Sequence, residues 1–434
     1  MSSKLLLLSV GFVISTTLSQ MLPTRLEAQE FRTLKGHGGP IMGIAVSDTG
    51  QVATASFDNS IGLWSTDGPT WLEGHDAAVT ALSRAPDGRW LSGSDDFSVL
   101  VWTEGEPLEL GRHKGKVTSV AASPDGRWIG SGSWDGTVML WGQGDAPVVL
   151  SAQKGGVNDI AFSADTQTLY VATSSGEVMA YDLAHGFAAR PLVKHGFGVN
   201  RLAVDAEGEW LAYGAVDGVT RIIDPEDGQA LADISLDRRP ILALARHSGR
   251  NRLAVGDGHG YIMVVDTESW RIARDFRAMR NGPVWALAFS PDGETIWAGG
   301  LQDVVYGWPV ALLDEFEARD GGTREFLRDP DTMPNGERQF ARKCSICHSL
   351  TSSASRKAGP TLFGVFGRRA GAVTGYRYSP TLEGSDIIWT EDTIDALFDE
   401  GPDHFIPGSK MPMQRITQPE DRRDLIAFLK QATQ

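Results

Sequence analysis

The chain has 434 residues, of which 41% are hydrophobic and 22% are charged, a balance typical of a soluble globular protein. Its 13 Trp and 17 Phe exclude a disordered chain, and its length favours two or three domains. The formal net charge of −15 argues against a nucleic-acid partner, because phosphate binding needs a basic face. A polytopic membrane protein is also excluded, because the one long apolar run lies at the N-terminus.

The first 28 residues have the pattern of an export signal. Lys4 precedes an apolar stretch at residues 5–15, and Ala28 offers a small residue for cleavage. The stretch is shorter than the ~20 residues that cross a membrane. We therefore predict a signal peptide at 1–28 and a periplasmic location, with no membrane span after its removal. An uncleaved N-terminal anchor is the alternative.

Residues 29–310 repeat with a period of about 40 residues. Turn sequences such as Ser-Pro-Asp-Gly at 123–126 separate short alternating runs, which is typical of antiparallel hairpins. A four-stranded unit in each repeat predicts an all-β propeller with seven blades. The aligned bulky residues, one per repeat, are Trp64, Trp102, Trp141, Tyr181, Ile223, Val265 and Trp308.

The repeats resemble the WD40 family, in which a His, a Ser or Thr, an Asp and a Trp form a buried hydrogen-bonded network within each blade. The resemblance implies that these residues are structural and that the propeller is a protein-docking scaffold. In the later repeats the Trp, the Asp or both are replaced, and we expect these blades to be held by apolar packing alone. The implied networks are His37, Ser56, Asp58 and Trp64; His75, Ser94, Asp96 and Trp102; and His113, Ser133, Asp135 and Trp141.

The two ends of the repeat region complement each other. The seventh repeat ends near Trp308 without an outer strand, whereas residues 30–34 have strand character ahead of the first repeat. We predict that this segment pairs into blade seven and closes the ring, which removes an open sheet edge. A stretch rich in Gly, Pro and Asp follows at 311–334, and we interpret it as a linker.

Both cysteines of the chain lie in one motif, Cys344-Ser345-Ile346-Cys347-His348. The Cys-x-x-Cys-His pattern is typical of covalent haem attachment, in which the thiols add to the two vinyl groups and the adjacent His is the proximal ligand. A thioredoxin-like redox pair, a zinc site and a structural disulfide are the alternatives. The first would not require the His, the second needs two more ligands, and the third leaves the His without a role.

A second motif, Ile406-Pro-Gly-Ser-Lys-Met411, follows about 60 residues later and offers a thioether as a soft axial ligand. With it, residues 335–434 resemble an all-α class I cytochrome c domain of the mitochondrial and alphaproteobacterial type. Gly336 and Phe340 match the first helix of that family, and residues 424–430 match the last. The two helices should cross, with Gly336 allowing a close approach.

The resemblance implies one haem c, attached through Cys344 and Cys347, with the iron held by His348 and Met411. It implies that the carbonyl of Pro360 orients the His348 ring. It also implies a set of residues around a haem propionate, namely Arg368, Tyr378, Trp389 and Ser409.

Three features depart from the family. Leu397 and Phe398 stand where a Tyr usually contacts the Met sulfur. Asp403 and His404 replace lysines beside the haem edge, so a standard oxidase partner is not assumed. Met413 lies two residues from Met411 and is a rival ligand, although the Pro-Gly-x-Lys-Met pattern favours Met411.

The sequence favours an exported electron-transfer protein over a self-contained catalyst, with the propeller docking a redox partner such as a dehydrogenase, reductase or oxidase. The alternative is a periplasmic oxidoreductase whose propeller holds a substrate site that feeds electrons to the haem. The propeller sequence shows no cofactor-binding constellation, which weakens this alternative. A haem-ligand sensor or peroxidase would need a vacant axial position, and Met411 argues against it.

Overall fold

The computed structural model describes residues 31–103, 106–142, 146–150, 154–313, 325–352 and 356–434. The predicted signal peptide at 1–28 and much of the predicted linker lie outside these ranges. The domain boundaries at 28, 310 and 334 therefore stay predictions. Within the described ranges, no helix is long and apolar enough to span a membrane.

The strands of the described residues form seven four-stranded antiparallel sheets, which are the seven blades of a propeller. Blades 1 to 6 are the consecutive groups of four strands from β2 to β25, and blade 7 contains β26, β27, β28 and β1. The strands are β1 (Arg32–Lys35), β2 (Ile41–Val46), β3 (Val52–Ser56), β4 (Ser60–Ser65), β5 (Gly68–Glu73), β6 (Val79–Arg84), β7 (Trp90–Ser94), β8 (Ser98–Trp102), β9 (Leu108–Arg112), β10 (Val117–Ala122), β11 (Ile129–Ser133), β12 (Val138–Trp141), β13 (Val148–Leu150), β14 (Val157–Phe162), β15 (Thr168–Thr173), β16 (Glu177–Asp182), β17 (Ala188–Lys194), β18 (Val199–Val204), β19 (Leu211–Ala215), β20 (Val219–Ile223), β21 (Ala230–Ser235), β22 (Ile241–His247), β23 (Arg252–Asp257), β24 (Tyr261–Asp266), β25 (Arg271–Arg277), β26 (Val284–Phe289), β27 (Thr295–Gly300) and β28 (Val304–Pro309).

The ring closes as predicted. β1 pairs antiparallel with β28, so that Arg32 lies opposite Gly307 and Lys35 lies opposite Val304. The order of strands in blade 7 is β1-β28-β27-β26, which places β1 at the outer edge. The first strand of the propeller thus completes its last blade.

The predicted buried networks are present in the first blades. The hydroxyl group, however, comes from the residue two positions before the predicted one. In blade 1, the His37 ring pairs with Asp58 (Nδ1–Oδ2, 2.9 Å) and with Thr54 (Nε2–Oγ1, 2.7 Å). The Trp64 indole also donates to Thr54 Oγ1, at 2.8 Å. Ser56, the predicted member, instead donates to the carbonyl of Gly39. Thr54 and Ser56 share a face of β3. Trp64 pairs with Val52, two residues before Thr54, whereas Ser56 lies at the far end of the strand.

Blades 2 and 3 show the same displacement. Ser92 replaces the predicted Ser94 between His75 Nε2 (2.8 Å) and the Trp102 indole (2.7 Å). In blade 3, His113 Nε2 pairs with Ser131 Oγ at 2.7 Å, not with Ser133. The Trp141 indole donates to the carbonyl of Leu110 and leaves the network.

The expectation of purely apolar later blades was also wrong. In blade 5, His195 Nε2 lies 3.0 Å from Asp217 Oδ2, and the Tyr213 hydroxyl lies 3.3 Å from His195 Nδ1. In blade 6, Arg238 Nε donates to Asp257 Oδ2 at 2.6 Å, and its guanidinium lies 4.3 Å from the Tyr261 ring centre. Blades 5 and 6 therefore also contain polar contacts, but these are made by other side chains than in blades 1 to 3.

The C-terminal domain is helical. Its helices are α1 (Asn335–Lys343), α2 (Pro380–Glu383), α3 (Glu391–Glu400), α4 (Pro402–Phe405) and α5 (Pro419–Ala432). The predicted crossing of α1 and α5 is confirmed. A Cβ on Gly336 would lie 2.1 Å from the carbonyl oxygen of Asp424, and the rings of Phe340 and Phe428 are 5.6 Å apart. Leu425 is fully buried between the helices.

Replacing Thr54 with Val should destabilise the propeller, because both the His37 ring and the Trp64 indole lose their common buried partner. We expect a loss of roughly 1–3 kcal/mol, measured as a lower denaturant midpoint of the propeller transition followed by circular dichroism. Thr33→Val, on the exposed face of β1, is the matched control. Equal midpoints for the two variants would contradict the role given to Thr54.

Candidate haem site

The cysteine motif forms a tight turn directly after α1. The amide of Cys344 donates to the carbonyl of Phe340, and the amide of His348 donates to that of Cys344, both at 2.9 Å. Cys344 is buried and Cys347 is half-buried, and both are free thiols. Burial raises the pKa of Cys344 to about 12 and that of Cys347 to about 11, so both are neutral as free thiols at physiological pH.

The His348 ring is oriented by a hydrogen bond at Nδ1. Its Nδ1 lies 2.8 Å from the carbonyl oxygen of Pro360, so Nδ1 carries the proton and Nε2 keeps a lone pair. Burial lowers the pKa of His348, which favours this neutral ring. Gly359 makes room for it, since a Cβ there would lie 2.4 Å from His348 Cε1. The geometry is that of an iron ligand with its orienting acceptor in place.

The loop at residues 406–413 places Met411, but not Met413, against the core of the domain. Met411 is half-buried and packs against the cluster that contains Phe340, Leu397 and Ile406. The side chain of Met413 is 54% exposed. Ser409 Oγ accepts a hydrogen bond from the amide of Met411 at 3.1 Å and so braces the turn that carries it.

The predicted propionate residues are only partly brought together. Arg368 donates to the carbonyls of Phe363 and Thr361, each at 2.7 Å, and its backbone pairs with Trp389. Burial lowers the pKa of Arg368, and nearby Tyr378 opposes that shift. The Tyr378 hydroxyl accepts a hydrogen bond from the amide of Val373. Ser409, in contrast, hydrogen-bonds to the backbone of its own loop, at Met411.

These residues fit a haem. One buried polar atom on this side of the domain, Ser379 Oγ, has no hydrogen-bond partner among the described residues. A set of half-buried apolar side chains packs around the core as walls for a flat apolar group, namely Leu350, Leu362, Phe366, Leu382, Trp389 and Phe405. With two thiols, an imidazole and a thioether, the donor set is that of haem c.

Three contributors were missed in the sequence. Lys357 Nζ donates to the carbonyl of Ser345 at 2.9 Å and so fixes the cysteine turn. The Tyr376 hydroxyl donates to the carbonyl of Ala358 at 2.6 Å, and burial raises the pKa of Tyr376 to about 12. Arg422 is buried and pairs with Asp395 (2.8 Å) and Asp399 (2.9 Å), which ties α5 to α3. Of these three residues, only Tyr376 could have been suspected from the sequence, because it lies two residues before the predicted site residue Tyr378.

Comparison with known proteins places both domains. The family model described as "WD domain, G-beta repeat" matches residues 28–65, 69–103 and 107–142. These segments include the blades with the His–hydroxyl–Asp contacts. The model described as "Cytochrome c" matches residues 334–433.

Cytochromes c from plants and a fungus are similar to the C-terminal domain. That of Sesamum indicum is 42% identical over 105 residues, which are 24% of this chain and 93% of the relative. That of Gossypium barbadense is 41% identical over 105 residues, with the same coverage. That of Cochliobolus lunatus is 41% identical over 98 residues, 23% of this chain and 90% of the relative.

The chain therefore belongs to the cytochrome c family, and it joins a cytochrome c domain to a seven-bladed WD40 propeller. Its C-terminal domain carries covalent haem c, and Cys344 and Cys347 are its cysteines.

Met411→Ala should abolish the Met–iron charge-transfer absorption of the oxidised protein, because the thioether beside the core is removed. Met413→Ala should preserve that absorption, because the Met413 side chain is exposed. The visible spectra of the two purified, haem-loaded variants decide the question. Loss of the band in Met413→Ala alone would reassign the ligand.

Proposed function

We propose that this protein is an exported, single-haem electron carrier whose propeller docks a redox protein. The observation that carries the proposal is the His348 ring, held at Nδ1 by Pro360 at 2.8 Å, together with a Met411 that packs on the same core. When bound, the haem accepts and returns one electron. His348 and Met411 would hold the iron through an imidazole nitrogen and a thioether sulfur, a donor pair typical of electron-carrying cytochromes c.

The propeller supports docking through its exposed aromatic side chains. Trp134 is 61% exposed, Phe197 is 57% exposed and Phe97 is 40% exposed. Phe97 and Trp134 lie between the second and third strands of their blades, and Phe197 lies between two blades. In antiparallel four-stranded blades these connections share one end of the ring. Aromatic side chains of this kind are frequent anchors of protein interfaces.

The oxidoreductase alternative has one observation in its favour. A cavity of about 340 Å³ lies in the propeller among aromatic and charged side chains. Its lining includes Phe57, Trp134, Trp285, Lys116 and Arg201. Within the described residues no cluster of three or more His, Cys, Asp or Glu forms a metal site.

The two functions differ in what reduces the haem. The purified, haem-loaded chain should titrate as one single-electron step in spectroelectrochemistry. It should remain oxidised with small alcohols or amines, and once reduced it should not turn over nitrite. Substrate-driven haem reduction that Trp285→Ala abolishes would establish the alternative and overturn the carrier proposal.

Export is tested by deletion of residues 2–28. The full chain should appear in the periplasmic fraction with covalent haem, because the signal directs it across the membrane. The deletion variant should stay in the cytoplasm without covalent haem. Haem-stained gels of the two fractions give the readout, and a haem-loaded cytoplasmic chain would refute export.

A further inference from the structure

The propeller touches the cytochrome domain through residues 71–76, which are the end of β5 in blade 1 and the start of the connection to blade 2. We call this segment the acidic rim, after Glu73 and Asp76. It meets three cations of the cytochrome domain, Arg356, Arg377 and Lys410, which we call the basic strip.

Asp76 is the centre of the contact. Its Oδ1 accepts a hydrogen bond from Lys410 Nζ at 2.8 Å and another from the Arg377 guanidinium. Arg377 also donates to the carbonyl of Gly74, at 3.0 Å. Burial opposes ionisation of Asp76, but the hydrogen bonds from Lys410 and Arg377 outweigh it and lower its pKa. The carboxylate is therefore charged at physiological pH.

Arg356 makes the second half of the contact. It pairs with Glu73, and its guanidinium lies 4.3 Å from the Trp71 ring centre. Its backbone also lies against the propeller, since a Cβ on Gly38 would overlap the carbonyl group of Arg356. The interface thus fits only glycine at position 38.

The cations of the basic strip lie beside residues that would hold the haem. Lys410 directly precedes Met411. Arg356 directly precedes Lys357, whose Nζ reaches the carbonyl of Ser345 in the cysteine turn at 2.9 Å. A surface that binds both Arg356 and Lys410 therefore lies next to both the cysteine turn and the loop that carries Met411.

We infer that the acidic rim covers the haem cleft within the same molecule, and that a redox partner exchanges electrons with the haem after the rim has moved away. The surface that the rim occupies is basic, so the partner that replaces it presents an acidic patch. The consequence for electron exchange rests on the proposed carrier function, whereas the contact itself does not.

The strength of the contact suits a reversible cover. The side chains of Asp76 and Arg377 are 46% and 59% exposed, so the ion pair is screened by salt and individually weak. Because the domains belong to one chain, closing is intramolecular and needs little interaction energy. The aromatic side chains proposed for docking share this end of the ring, so a docked partner would lie close to the rim.

The test compares two ways of opening the cover. Asp76→Asn with Glu73→Gln removes the charges of the rim. Gly38→Ala leaves every charge in place and puts a methyl group where the Arg356 carbonyl lies; the backbone at Gly38 is not in the left-handed region, so alanine is allowed there. Asp95→Asn with Glu109→Gln, two acids paired elsewhere in blade 2, is the charge-matched control.

Two measurements are made on the haem-loaded full-length proteins. Small-angle scattering should show a larger radius of gyration for both opened variants and no change for the control. Stopped-flow reduction by reduced flavodoxin, an acidic one-electron donor of protein size, should be roughly tenfold faster in both opened variants. The difference from wild type should shrink as salt is added. Reduction by ascorbate, a small donor, should change little.

The outcomes separate the inference from the carrier proposal. Unchanged scattering and unchanged flavodoxin rates in both opened variants would refute the cover. Separated domains with wild-type flavodoxin rates would show a contact that does not restrict access, which also overturns it. A haem that neither donor reduces would contradict the carrier function instead, while the scattering result still reports on the contact.

Discussion

The pairing of β1 with β28 is the constraint on which the whole arrangement depends. It joins the start of the propeller to its end, leaves no blade without an outer strand, and fixes the direction in which the chain leaves the ring. The chain exits after Pro309 in blade 7, next to blade 1. The cytochrome domain then contacts the end of β5 and the connection between blades 1 and 2. Without closure, the acidic rim and the basic strip would have no fixed relation.

Within the ring, buried polar contacts stabilise blades 1, 2, 3, 5 and 6, and the side chains that make them differ from blade to blade. Blade 1 uses His37, Thr54, Asp58 and Trp64, whereas blade 5 uses His195, Asp217 and Tyr213. The repeat period alone predicted seven blades and the closing strand, because both follow from spacing and alternation. The choice between Thr54 and Ser56 could not be made from the sequence. Side chains two residues apart on a strand point to the same face, and here the pairing of β3 with β4 decides which of them meets Trp64.

In the cytochrome domain, too, some features could be predicted from the sequence and others could not. Short motifs with a chemical reason predicted the cysteine turn and favoured Met411, whereas the Pro360 carbonyl beside His348 was implied by the family resemblance. The side chains that brace these motifs were missed, because Lys357, Tyr376 and Arg422 act through backbone carbonyls or distant acids. The interdomain contact was beyond sequence reasoning as well. Glu73, Asp76, Arg356 and Arg377 look like ordinary surface charges until the fold brings distant segments together.

Ring closure also sets an order of events during synthesis. β1 is the first propeller strand to be made and β28 is the last, so the contact between them has a very high sequence separation and forms late. Until residue 309 has emerged, blade 7 has an unpaired edge, which is the kind of edge that recruits other chains. The cytochrome domain follows immediately. A ribosome that has completed the cysteine motif has therefore already supplied every strand of the ring, and a truncated chain that lacks β28 can neither close its propeller nor carry a haem.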